Sequence, residues 1–378
     1  MRTLLAASLA FFVVTSRGNA QGTLSTQGLG YPTGQMSARA EGTGGAVADF
    51  DALSLVTPAS IAAAGASALF IQYSPEFRRV TAGSNTAKTT TARVPLVSGI
   101  LPMGQAWTLG LSSSTFLDRS SETSLIRRIN VGPITDSVDV TERNKVLGAI
   151  NDVRLALAWA VTPAFRIGVG GHIFSGSNRV TVSRIFPDSA KYISTTDAGR
   201  LSYAGFAGSL GIEYHPSRVI GFALSGRKGG DLRAESGDTA IGSGRIPDHY
   251  SASVTYDGLT GATFSARVAH DAWSSLSSLS STNIQAFDGW DSSVGGEVSG
   301  PRLMQRIITL RAGARFRTLP FGFNGQKVSE TSLMAGFGAP LTRDRASFDF
   351  TLQRANRTAG ADVKERGFIL SFGLRVSP

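Results

Sequence analysis

Few side chains in this chain are able to do chemistry, and their spacing removes most of what they could do. Four histidines, His172, His215, His249 and His270, are scattered along 378 residues, and none sits at a metal-ligand spacing. The chain has no cysteine, which removes disulfides, thiolate metal sites and a thiolate nucleophile. His270 and Asp271, followed by Ser274, Ser275, Ser277 and Ser278, give the one local hint of a Ser-His-Asp triad. A serine-rich surface loop explains the same residues. The glycines around Gly168–Gly171 lack the strand-loop-helix setting and the lysine of a phosphate-binding loop.

That leaves arginine. Of 37 basic residues only six are lysine. Arg154, Arg166, Arg227, Arg267, Arg311 and Arg315 each occupy a position that alternates with large apolar neighbours, as do Arg317 and Arg375. Glu213, Asp349 and Glu297 are the carboxylates that oppose them within the same segments. A guanidinium binds a carboxylate through two parallel hydrogen bonds, so a space lined this way favours anionic head groups. The same arginines could equally pair with inward carboxylates and simply fill the space, and the sequence leaves both readings open.

The elements that hold these residues are strands. In the closing stretch GFILSFGLRVSP, Phe368, Leu370, Phe372, Leu374 and Val376 fall on one face, with Ile369, Ser371, Gly373 and Arg375 on the other. Segments of the same kind recur from Ser67 onward, among them Val146–Val161, Ala164–Ile185 and Ile308–Arg317. Short joins alternate with long ones, as in an exported barrel with tight turns at one end and longer loops at the other. Thirteen segments stand out, and an even number is needed to leave both chain ends on one side. The spacing therefore predicts a further strand at Gly289–Val298, for an all-β, single antiparallel transmembrane β-barrel of fourteen strands, with twelve as the alternative. Arginine on the lipid face near the bilayer midplane costs about 2–4 kcal/mol, which points these side chains inward.

Composition fits this architecture. Hydrophobic residues make up 42% of the chain and the mean hydropathy is +0.03, the average expected of a wall that is apolar outside and polar inside. No stretch of about 18 apolar residues offers a helical span. The isoelectric point near 10.3 raises nucleic acid as a partner, but no basic run or nucleic-acid motif supports it. Residues 1–20 read as a secretory signal peptide: Arg2, the apolar run Leu4–Val14, then Gly18-Asn19-Ala20. Residues 21–65 are rich in Gly, Ala and Ser, with a possible short helix over Ala46–Leu55. Phe50, Leu53, Leu55, Val56 and Ile61 are too apolar for a solvated tail. Residues 66–378 form the barrel.

In this order the blocks resemble a known family. Gly42-Thr43-Gly44-Gly45-Ala46 and Thr57-Pro58-Ala59 precede the first strand. LAWAVTPAFRIGVGGHIFSG, RIPDHYSASVTY and HDAWSSLSS follow, and the last third runs LRAGARFRTLPFGFNGQKVSETSLMAGFGAPLTRDRASFDFTLQ. Together they resemble the FadL/TodX-type outer-membrane transporters of long-chain fatty acids and hydrocarbons. The resemblance implies a fourteen-stranded barrel in the outer membrane of a Gram-negative-type bacterium, with residues 21–65 folded inward as a hatch that involves Gly44, Gly45, Phe50 and Pro58. It implies passive uptake of hydrophobic or amphipathic molecules with lateral exit through the wall, no enzymatic activity and no cofactor. The partners implied are outer-membrane lipid, the substrate and, during biogenesis, the barrel assembly machinery. Two positions depart from the family pattern: Thr57 stands where Asn is usual, and Val376-Ser377-Pro378 replaces a terminal aromatic. The alternatives are a docking or assembly subunit for secretion and a general porin.

Overall fold

The computed structural model describes residues 30–33, 35–82, 85–130, 137–189, 191–279, 286–303, 306–323, 325–341, 345–360 and 363–377. The signal peptide expected over residues 1–20 lies outside them. Among the described residues fourteen antiparallel staves close on themselves. They are β1 (Ala68–Ala82), β2 (Asn85–Met103), β3 (Trp107–Asp118, resuming as Ser121–Asn130), β4 (Ser137–Thr162), β5 (Phe165–Ile185), β6 (Thr195–Tyr214) and β7 (Ile220–Ser236). Then come β8 (Thr239–Arg245, resuming as His249–Leu259), β9 (Ala262–Asp271), β10 (Gly289–Leu303), β11 (Arg306–Phe323), β12 (Gln326–Pro340), β13 (Ala346–Ala359) and β14 (Val363–Val376). Each pairs with its sequence neighbour, and β14 closes on β1 from Val376↔Leu69 to Val363↔Ala82. Closure leaves no edge with unpaired backbone groups, the condition for a sheet in lipid.

Alternation sets which way each side chain points. Along β1, Leu69, Ile71, Tyr73 and Phe77 are exposed on the outside, while Phe70, Gln72, Ser74, Glu76 and Arg78 are buried inside. The same rule puts Leu111, Leu155, Val169, Phe206, Leu224, Val254, Val294, Phe316, Leu333 and Leu352 on the outer surface, a continuous apolar belt. Trp107 and Trp159 stack at 5.4 Å near the end where the tight turns lie, where an aromatic ring suits a bilayer interface.

Beyond the belt the strands run further than sequence patterning predicts. The joins expected over residues 119–145, 229–245, 318–327 and 355–366 are largely strand, so that hairpins rise past the belt. Outside the bilayer both faces meet water, so neither needs to be apolar and the alternation signal disappears while backbone pairing continues. Arg143 pairs with Glu122 there, and Glu142 pairs with both Arg184 at 3.3 Å and Arg127 at 3.5 Å.

The N-terminal segment also departs from expectation. Its helix, α1, is Ala38–Gly42, capped by the Ser37 hydroxyl, which accepts from the Ala40 amide at 3.2 Å. Residues 46–55, expected to be helical, form successive turns instead. Gly44 and Gly45, at φ +73° and +92°, end the helix in a conformation that side chains resist. The described chain also does not begin at the turn end. Tyr31 and Pro32 pair with Asp118 and Leu117 of β3, toward the long-loop end. The chain then descends through the interior to a 3₁₀ turn, Ala59–Ala63, and enters β1.

Glycines on the inner wall make room for this segment. A Cβ on Gly313 or Gly295 would collide with the Thr43 backbone, one on Gly168 with Pro58, and one on Gly211 with the Thr57 hydroxyl. Gly313→Val is expected to unseat residues 38–50 while leaving the barrel closed. The variant should keep the heat-modifiable electrophoretic mobility of a folded barrel, and its N-terminal amides should exchange with solvent at least tenfold faster. Wild-type protection in this variant would show that the segment does not lean on that wall.

Candidate functional site

The lumen holds the charged side chains, and they occur in connected groups. Toward the long-loop end, Tyr31 sits among four arginines whose guanidinium carbons lie 4.5–5.7 Å from its ring centre: Arg357, Arg317, Arg93 and Arg78. Its hydroxyl donates to Glu330 at 2.8 Å and accepts from Arg357 Nη2 at 2.7 Å. Arg357 also reaches Glu76 at 2.8 Å, Glu330 at 2.5 Å, and Glu365. Arg93 bridges Glu76 and Asp118 at 2.7 and 2.5 Å. Four arginines meet four carboxylates around one phenol, so the cage is electrically balanced.

Lower down, Asp49 of the N-terminal segment is the hub. It accepts from Arg267 Nε at 3.0 Å, from Ser251 at 2.9 Å, and from Ser253. Arg39 of α1 grips Glu297 through two bonds of 2.9 and 2.7 Å, and the Thr351 hydroxyl donates to the Ala38 carbonyl at 2.7 Å. Burial pushes the Glu41 carboxyl up to about 7, with Ser371 and Gln72 beside it and Arg315 and Arg317 acting in the opposite direction.

The residues singled out in the sequence lie on the inner face. Arg267 and Arg315 share Asp291, at 3.5 and 2.5 Å, and with Arg227 they line one cavity, while Arg154, Arg166 and Arg311 stand elsewhere. Arg311 reaches Glu297 and Asp349, both at 2.6 Å. Arg315 binds Asp291 through both oxygens at 2.8 and 2.5 Å. Arg267 joins the Asp49 hub. Arg154 donates to the Leu55 carbonyl at 3.0 Å. Arg227 lies over Phe116 at 5.2 Å, with Asp152 at 3.9 Å. Arg166 pairs with Glu213 near the turn end, where His215 contacts Glu213 at 2.7 Å and Phe50 packs edge-on to His215. Gly44 passes against the Ala314 backbone and Gly45 against Met36, while Pro58 lies against Gly168. His270 does not pair with Asp271: it packs on Trp290, and Asp271 accepts from His249 at 2.8 Å.

Sequence reasoning missed the cage around Tyr31 and the neighbouring set Asp152, His172 and Ser209. Extending the alternation count would have found Glu76 and Arg78 on β1, Glu330 on β12 and Arg357 on β13. Nothing marks Tyr31, because it lies in a stretch without periodicity.

Above these charges an apolar cluster fills the long-loop end: Phe116, Ile150, Phe174, Leu201, Leu232 and Ile246 from the wall, with Trp273, Leu276 and Leu279 from the join after β9. Between this cluster and the Tyr31 cage lies a cavity of about 130 Å³. Phe116, Trp273, Met36 and Leu319 line one part of it, and Arg227, Arg267, Arg315 and Glu41 another.

No family model matches the chain, and no curated protein sequence does either. Solved structures do. A FadL homologue of Pseudomonas aeruginosa is 12% identical, with a TM-score of 0.67 over 92% of this chain and 99% of that one. The toluene transporter TodX of Pseudomonas putida is 14% identical, with a TM-score of 0.56 over 92% and 98%. The CymD monoaromatic hydrocarbon channel is 13% identical, with a TM-score of 0.56 over 91% and 97%. Across that whole length the chain shares their fold.

Two outcomes test the lumenal contacts. Asp49→Leu takes the closest carboxylate from buried Arg267, leaving it Asp291 at 3.5 Å and His249 at 3.3 Å. It should weaken seating of the segment by about 1–3 kcal/mol, read from local hydrogen exchange. Arg267→Met added to it should recover part of that loss. Glu41 binds its proton more tightly when seated, so its contribution is full below pH ~4.5 and is lost as pH rises through about 7. Exchange of residues 38–45, corrected for intrinsic rate, should rise from pH 5 to pH 9 in the wild type and stay level in Glu41→Gln.

Proposed function

We propose that this barrel lies in the outer membrane of a Gram-negative-type bacterium and passively conducts hydrophobic or amphipathic molecules inward, with residues 21–65 as its hatch. The observation that carries the reading is a lumen filled by its own N-terminal segment beneath an apolar mouth. A lumen of that kind blocks bulk water and ions while offering an apolar surface to a ligand arriving from outside. Phe116, Phe174 and Trp273 are buried beneath that mouth, with the Phe116 ring centre 4.9 and 5.3 Å from the other two, and they become contact surface only as the cluster opens. The shared fold with channels described as carrying toluene and monoaromatic hydrocarbons supports the same substrate class.

Size narrows it. An apolar cavity of about 150 Å³ is known to admit benzene, and the lumenal cavity is about 130 Å³. With that volume and charged groups along one part of its wall, the cavity is at the lower limit for a single aromatic ring while the segment is seated. A long-chain fatty acid requires the segment to move. Passage past Thr43, Asp49 and Pro58 means breaking hub contacts, and this makes Gly44, Gly45, Phe50 and Pro58 the hatch positions. The arginines Arg154, Arg166, Arg227, Arg267, Arg311 and Arg315 line the route, and their carboxylate partners limit how strongly they attract anionic head groups.

A docking role would call for a broad apolar patch on the outer loops. Ile126, Ile185 and Ile193 are exposed beyond the belt among polar neighbours, the scattering ordinary for a protein surface.

A deletion strain should take up toluene and oleate more slowly than the strain with the gene restored. Removal of residues 30–60 should instead make the barrel leak small polar solutes, measured by swelling of loaded liposomes. Equal uptake with and without the gene would sink the transport reading, and an unchanged leak would sink the hatch.

A further inference from the structure

Three inward-facing residues on consecutive strands stand in a line: Asp152 on β4, His172 on β5 and Ser209 on β6. His172 Nδ1 lies 2.9 and 3.0 Å from the two Asp152 oxygens, and His172 Nε2 lies 2.9 Å from Ser209 Oγ. A carboxylate at Nδ1 holds the proton there, which leaves the Nε2 lone pair to accept from the serine hydroxyl. That is the tautomer and the spacing of a nucleophile, a general base and its orienting acid. Burial divides the roles in the same way. Asp152 and His172 are 1% and 4% exposed, whereas Ser209 is half-buried and faces the lumen. Gln35 steadies Asp152 from the other side at 3.4 Å.

The surroundings supply what an acyl-transfer site needs. Arg227 stands directly across from Ser209 on β7, and Arg154 directly across from His172 on β4. The Nε of each guanidinium is buried without a hydrogen-bond partner among the described residues. Each guanidinium is held by another group, Arg154 by the Leu55 carbonyl and Arg227 by Asp152, and keeps one unsatisfied N–H near this line, which suits the negative charge that forms on a carbonyl oxygen under attack. Gly170 faces Ser209 across the β5–β6 pair, and a Cβ there would lie 2.6 Å from the hydroxyl, so glycine leaves the nucleophile its space. Phe174, ring-stacked on His172 at 6.2 Å, and Phe116, under Arg227, form an apolar wall next to the line.

From this geometry we propose that the lumen carries a serine-ester hydrolase site, Ser209 with His172, oriented by Asp152, acting on carboxylic esters with an apolar acyl part. Ser209 Oγ attacks the carbonyl carbon while its proton passes to His172 Nε2. The ester C–O bond breaks and His172 returns that proton to the leaving alcohol. Water then attacks the acyl-serine, giving its proton to His172, and the carboxylic acid departs as Ser209 recovers its own. Ester and water become acid and alcohol, with nothing else consumed. Asp152 is a positioning residue, because it acts through the imidazole.

The test uses the purified barrel in detergent and does not depend on transport. A fluorophosphonate should label the protein at Ser209, located by peptide mapping, and 4-nitrophenyl butyrate should be hydrolysed. Ser209→Ala should abolish the label and lower hydrolysis by about a thousandfold. Arg227→Met should slow hydrolysis about ten- to a hundredfold without moving the label. The chain has no cysteine, so Ser209→Cys introduces a single thiol whose reactivity reports on His172. Its alkylation by iodoacetamide at pH 7 should be at least about tenfold faster than in the Ser209→Cys/His172→Gln double variant, and Asp152→Asn should change the pH profile of that rate. A folded barrel with no label at Ser209, or with equal thiol reactivity in the single and double variants, would overturn the proposal and leave the line as a structural hydrogen-bond ladder.

Discussion

Everything inside this barrel follows from one constraint: a guanidinium cannot face lipid, and in a filled lumen it cannot face bulk water either. Each inward arginine must therefore find a carboxylate, a carbonyl or an aromatic face. Arg357 meets that demand most completely, fully buried and in contact with Glu76, Glu330, Glu365 and Tyr31. Buried ion pairs of this kind add little net stability over an apolar replacement, but breaking one partner is costly. Their effect is to fix positions. Asp49 against Arg267 and Arg39 against Glu297 set where the N-terminal segment rests, and the glycines at 168, 211, 295 and 313 set how close it comes.

The sequence reveals the wall and hides the filling. Where the chain crosses lipid, one face must be apolar, so β1, β4, β5, β11 and β14 are readable by alternation and Gly289–Val298 by parity. Past the belt that requirement ends, and residues 121–130 and 137–146 pair as strands with no pattern to announce them. Residues 30–65 obey no period because each side chain fits a different patch of wall, so the position of α1 was out of reach. The arginines were legible as inward, but their partners depend on register: Arg315 finds Asp291, some two dozen residues away in sequence, only because β10 and β11 align as they do. The histidines show the same limit. His270 beside Asp271 looked like a functional neighbour and points outward, while Asp152, His172 and Ser209, far apart in sequence, meet across two strand pairs.

The lumen thus has three tiers with different physical characters. Near the tight turns it is Gly-lined and occupied by backbone. At mid-height it is a lattice of charge pairs in which, among the described residues, a few donors and a Glu41 carboxyl oxygen lack a hydrogen-bond partner. Toward the long loops it is aromatic and aliphatic on one side and a balanced ion cage on the other.

The cage around Tyr31 ties the N-terminal segment to barrel closure. Arg357 and Glu365 belong to the last two strands, Glu76 to the first, and Tyr31 to the segment that precedes them all. The final seam and the seated segment therefore share the same atoms, so a cylinder sealed without its contents would leave that cage short of its central hydroxyl. Seating Tyr31 and sealing the last strand against the first therefore draw on one shared set of contacts, and loading and closure become a single cooperative step.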